Sequence, residues 1–115
     1  MEAIRRARLE NLIQAEVSTI ARNVKDPRVP ATLTFTQVRL TEDGKQATIF
    51  VSSFDHSAEP NHFISGLTSA AGFFRRHLAK ALTVRHIPTL IFKHDKGIEN
   101  SIRVHEILNQ IANER

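Results

Sequence analysis

Arg75, Arg76 and Lys80 are the residues of this chain best suited to chemistry, and the chemistry is the holding of phosphate. Arg76 and Lys80 stand four residues apart and so share one side of a helix, with Arg75 flanking them. Arg85 and Lys93 carry the same charge on toward the next element. Between Thr68 and Lys96 the cations are opposed by Asp95 alone, while in the rest of the chain acid and base nearly cancel. The formal net charge of +4 is therefore a local field from one segment. A concentrated positive patch on a small domain is the footprint expected for a polyanionic partner. A plain solvated helix face, or a dock for an acidic protein, would use the same residues.

Bond-making chemistry finds no comparable set. Nucleophilic catalysis needs a Ser, Cys or Thr with a base and an orienting group. Ser52, Ser53, Asp55 and His56 share only their nearness in sequence. His105-Glu106 opens like a zinc-protease helix, but the second histidine position is Asn109. The six histidines show no ligand spacing, and there is no cysteine, which removes disulfides and thiolate metal sites. The glycines at 44, 66, 72 and 97 are too scattered to cradle a phosphate. The sequence thus predicts no enzyme, no metal and no cofactor.

The elements that must carry the cations follow from periodicity. At 115 residues, 41% hydrophobic and 24% charged, the chain reads as one globular domain over residues 1–115. No apolar run approaches the roughly 18 residues that cross a bilayer, and the start MEAIRRARLE lacks a secretory h-region, so a cytoplasmic protein without membrane contact is expected. Ile4 to Asn23 repeats Leu9, Leu12, Ile13, Val17, Ile20 and Ala21 at helical steps. Arg5, Arg6 and Arg8 crowd its first turn, where the helix dipole disfavours them. Pro27 and Pro30 end it. Ala31 to Thr41 and Gln46 to Phe54 read as strands around Asp43-Gly44, a hairpin signal. Leu33 and Phe35 share one phase and Val38 and Leu40 the other, which predicts a β-bulge near Thr36 or Gln37.

A helix opens at Pro60 or Asn61 and meets Ala70-Ala71-Gly72, where a kink is the economical reading because glycine weakens a helix by about 1 kcal/mol. The next helix buries Ala71, Phe74, Leu78 and Leu82. Phe73 lies toward the Arg76/Lys80 side, where it could stack on a base, although burial beneath a neighbouring helix is its plainer role. Thr89 to Lys93 is a short strand, and Ile98 to Asn113 a final helix. The order α-β-β-α-kink-α-β-α predicts a two-layer α+β domain, its three-stranded sheet covered by helices on one face.

A small-residue joint between two helices with basic residues just beyond resembles the KH module, whose glycine loop lets the nucleic-acid backbone approach. Here Ala70-Ala71-Gly72 would be an A-x-G variant in a type II KH-like order. The chain as a whole resembles the ribosome-binding factor A family. The matching pieces are Lys25-Asp26-Pro27-Arg28, then Val38-Arg39-Leu40-Thr41 with Asp43, Ala47 and Val51, the Ala70-Ala71-Gly72 joint with Arg75 or Arg76 after it, and Arg85 through Pro88, Leu90, Phe92 and Asp95. Gly97 stands where the family usually has serine, and Ser101 where it has glycine. The resemblance implies a monomeric bacterial assembly factor for the small (30S) ribosomal subunit. It would assist late maturation and 5′-end processing of 16S rRNA, act beside assembly GTPases and support growth in the cold. The RNA-binding set it suggests is Ala70, Ala71, Gly72, Arg75, Arg76, Lys80, Arg85 and Lys93, with Arg28 from the first matched loop.

Overall fold

Proline, glycine and the apolar periods set the element boundaries. The computed structural model describes residues 1–55 and 57–96. Helix α1 (Ala3–Ala21) leads to strands β1 (Leu33–Leu40) and β2 (Gln46–Ser53). Helices α2 (Pro60–Ser69) and α3 (Ala71–Ala81) follow, then strand β3 (Thr89–His94). The expected final helix over 98–113, with the Gly97 and Ser101 departures, lies outside the described residues.

Between β1 and β2 the turn is built by Asp43, whose carboxylate accepts from the Thr41 hydroxyl at 2.6 Å and the Lys45 amide at 3.0 Å. These bonds hold the Asp43 carboxyl below its ordinary range, the Thr41 hydroxyl contributing most. Gly44 takes φ +71°, the left-handed conformation that favours glycine. The predicted bulge is present: Phe35 pairs with Val51 and Gln37 with Phe50, leaving Thr36 unmatched. The extra residue restores phase, so Phe35 before it and Val38 and Leu40 after it all face the core.

Strand order is β1-β2-β3, with β2 antiparallel to β1 and parallel to β3. A parallel pair needs a crossover, and α2 with α3 supply it. Ala47, Ile49 and Val51 of the central strand are fully buried beneath the helices. Ile13 and Val17 of α1, Phe63 and Leu67 of α2 and Phe74 and Leu78 of α3 join them. Side chains of this size contribute about 1.5–3 kcal/mol each on burial. Two α1 side chains satisfy the free edge of β1: Gln14 donates to the Phe35 carbonyl at 2.9 Å and Glu10 accepts from the Leu40 amide at 2.8 Å.

One apolar expectation fails. Leu12 is 54% exposed, because α1 presents the narrower line Ile13, Val17 and Ile20 to the sheet. Phe54 is 79% exposed one residue past β2, where no helix overlies it among the described residues.

Candidate nucleic-acid interface

The kink is one residue long, and that residue is Ala70. It closes α2 and opens α3 at φ −90°, ψ 4°. Its amide donates to the carbonyls of Gly66 at 3.1 Å and Leu67 at 3.0 Å, and its own carbonyl accepts from Phe74 at 3.1 Å. No positive φ is needed, so alanine serves where a loop would call for glycine. Gly72 lies inside the first turn of α3 rather than at the bend. Among the described residues, a methyl group placed on Gly72 would meet only the Arg76 guanidinium, at 3.9 Å. The backbone here is bare and open.

Gly66, rather than Gly72, is the glycine that packing demands. A Cβ there would lie 2.9 Å from both the Arg28 Cβ and the Val29 Cγ2. The loop after α1 is thus pressed onto α2 one turn before the kink. The sequence signal for this role is the place of Gly66 between Phe63 and Leu67 on the inner stripe.

Contact with α2 carries Arg28 to the joint. Its guanidinium grips Asp26 through Nε to Oδ1 at 3.1 Å and Nη2 to Oδ2 at 2.8 Å, and Nη2 also reaches the Ser69 hydroxyl at 3.3 Å. The Arg28 side chain, with its backbone amide, holds the Asp26 carboxyl down to about 2. The same hydrogen bond raises the Arg28 pKa. Asn23, Lys25, Ser69, Ala70 and Phe73 line a groove between the end of α1 and the kink. Lys25 and Asn23 were not among the expected contacts. Phe73 is half-buried, its ring 4.4 Å from that of His77.

On α3, Arg75, Arg76 and Lys80 are exposed, while Phe74 and Leu78 point into the core. No carboxylate among the described residues pairs with Arg76 or Lys80. Arg75 donates through Nη2 to the Ile87 carbonyl at 3.4 Å, tying α3 to the loop that carries exposed Arg85. Ala70, Ala71, Gly72, Arg76, Lys80, Arg75 and Arg28 therefore belong to the kink and its flanks. Lys93 does not. Leu90 and Phe92 face the helices, so Lys93, alternating with them, emerges on the opposite side of the sheet.

Among the described residues no group of His, Cys, Asp or Glu could hold a metal ion, and no helix is long and apolar enough to cross a membrane.

Residues 5–108 match the family model described as ribosome-binding factor A. A ribosome-binding factor A of Clostridium perfringens is 36% identical over 113 residues, covering 96% of this chain and 97% of the relative. The crystal structure of ribosome-binding factor A from Thermus thermophilus superposes with a TM-score of 0.69 at 27% identity, covering 77% of this chain and 94% of that one. A homology model of the Thermus thermophilus factor, fitted into a cryo-EM map of its complex with the 30S subunit, superposes with a TM-score of 0.60 at 27% identity. It covers 81% of this chain and 93% of that one.

Proposed function

The chain belongs to the ribosome-binding factor A family, and on that premise we propose that it binds the free or immature small ribosomal subunit through 16S rRNA. The family is one of binding factors rather than enzymes. The observation that carries the reading is the pairing of a bare helical turn at Gly72 with the cations Arg76 and Lys80, unpaired among the described residues, one and two turns beyond. An RNA backbone can approach the kink closely there, and α3 offers donors along its path. Ala70 and Ala71 keep the joint small. Lys80 also stands in the last turn of α3, where the dipole favours a cation. Arg28 enters already neutralised by Asp26, so its part is to position the loop against α2.

Binding energy directed at one rRNA conformer shifts the assembly equilibrium without breaking a bond. In this reading the protein acts as a single monomeric unit in the cytoplasm. It assists late maturation and 5′-end processing of 16S rRNA, works alongside assembly GTPases, and matters most in the cold, where misfolded rRNA conformers escape slowly.

Co-sedimentation with purified small subunits tests the reading. Binding should fall steeply with salt and vanish after RNase treatment. Binding that survives RNase would assign the cation row to an acidic protein instead. Incubation with precursor 16S rRNA should yield no cleavage by the protein alone.

A further inference from the structure

The sheet has a second face, and Lys93 belongs to it. Strand alternation places Gln37 and Arg39 of β1, Thr48 and Phe50 of β2, and Ile91 and Lys93 of β3 on the side turned away from the helices. The register sets Phe50 between Gln37 and Lys93, and Thr48 between Arg39 and Ile91. Phe50 is thus an aromatic ring on the central strand with a cation on each flanking strand, Lys93 beside it and Arg39 on the diagonal. Arg39 and Lys93 are exposed, and Phe50 and Ile91 are half-buried. Neither cation has an ion-pair partner among the described residues. Asp95, the acid that follows β3, accepts a hydrogen bond from the Thr36 hydroxyl at the bulge.

We propose that this face is a second RNA contact, on which one unpaired base of a single strand stacks on Phe50 while Arg39 and Lys93 hold the neighbouring phosphates. A flat sheet with a central aromatic is a recognised platform for base stacking, because every base offers a π-face. A second copy of the chain fits less well: face-to-face pairing would oppose Arg39 and Lys93 with their own like charges. A peptide adding to the sheet would use an edge rather than this face. The proposal rests on the reading of the chain as an rRNA binder, but it uses none of the residues at the kink. It implies a protein inserted between two RNA segments, one on each side of its two layers.

The chain contains neither tryptophan nor tyrosine, so Phe50→Trp installs a single reporter at the proposed stacking site. The full chain carrying that change, in an Arg76→Ala/Lys80→Ala background, is titrated with single-stranded decaadenylate and, separately, with polyphosphate. Decaadenylate should quench the fluorescence and polyphosphate should not. Adding Arg39→Ala and Lys93→Ala should lower the salt slope of the quenching by about 1.4. Phe50→Leu, which keeps an apolar side chain and the fold, should weaken decaadenylate binding by roughly five- to a hundredfold. Equal quenching by polyphosphate, no quenching by decaadenylate, or quenching that tracks protein concentration without RNA would each overturn the proposal. Small-subunit co-sedimentation of Arg76→Ala/Lys80→Ala alone reports on the kink, so failure there is separate from failure here.

Discussion

Gly66 faces Arg28 so closely that a Cβ on the glycine would stand 2.9 Å from the Cβ of the arginine. Val29 crowds the same spot, also at 2.9 Å, and a backbone carbon of Arg28 lies at 3.4 Å. Neither neighbour at the closest approach is the far end of a flexible side chain. This contact seats the loop after α1 against α2 and brings Asp26 and Arg28 up to the kink.

Gly66→Ala and Gly72→Ala should therefore have opposite signs. At Gly66 the methyl group forces the loop away from α2, and overpacking of this kind costs about 1–3 kcal/mol. At Gly72 the space is open and the turn helical, so alanine should stabilise by up to about 1 kcal/mol. Thermal unfolding followed by circular dichroism reads both, at about 4 °C per kcal/mol. Gly72→Ala should still weaken small-subunit binding, since its methyl group intrudes on the surface proposed for the RNA backbone. If Gly72→Ala bound as tightly as the parent, close approach at that turn would be excluded.

The paired change Arg76→Ala/Lys80→Ala should leave stability within about 0.5 kcal/mol, as both side chains are exposed. Affinity for small subunits should fall, and the log–log salt slope should flatten by about 1.4–1.8 if each cation holds one phosphate. An unchanged slope removes both residues from the interface.

Asp26 and Arg28 predict a pH effect with a definite sign. The Asp26 carboxyl is lowered from 3.8 to about 2 in the folded chain, first by the Arg28 side chain. A depressed folded value means the ion pair contributes stability above the ordinary carboxylate range and loses it as pH falls from about 4 toward 2. Asp26→Asn should remove that part of the acid-induced loss, measurable as a shallower fall in melting temperature between those pH values. It should also release the Arg28 guanidinium, so low-salt RNA affinity should rise rather than fall. Arg28→Ala should weaken binding as well, because it leaves the Asp26 carboxylate bare beside the kink.

Phe74 tests the layer that holds α3 in place. It is fully buried, and its ring centroid lies 5.3 Å from that of Phe92 on β3. Phe74→Ala should cost about 3–5 kcal/mol, a large share of the stability of a domain this size. Phe74→Leu should cost markedly less. Urea unfolding at fixed pH compares the two, and equal losses would mean that the ring contact, not volume, dominates.

Much of the molecule was legible one segment at a time. The Leu33/Phe35 and Val38/Leu40 phases placed the bulge, Asp43-Gly44 the hairpin, and the small residues after α2 the kink. The bend itself falls at Ala70 because only one residue separates two helices, and a bridge-region alanine suffices for that. Leu12 was misread because a stripe drawn from sequence is wider than the line that one layer of sheet can cover. Lys93 was grouped with Arg85 by nearness along the chain, although its alternation with Leu90 and Phe92 already implied the other face.

Period, turn chemistry and charge are local properties of the chain, so the described elements, their order and the cationic segment are legible in it. Tertiary structure alone decided which cations meet. It carried Arg28 across to Ser69, packed Gly66 against the loop after α1, and put Lys93 and Phe50 on a surface of their own. Those outcomes depend on register and on which face of each element is covered, and both are fixed only when distant segments pack together.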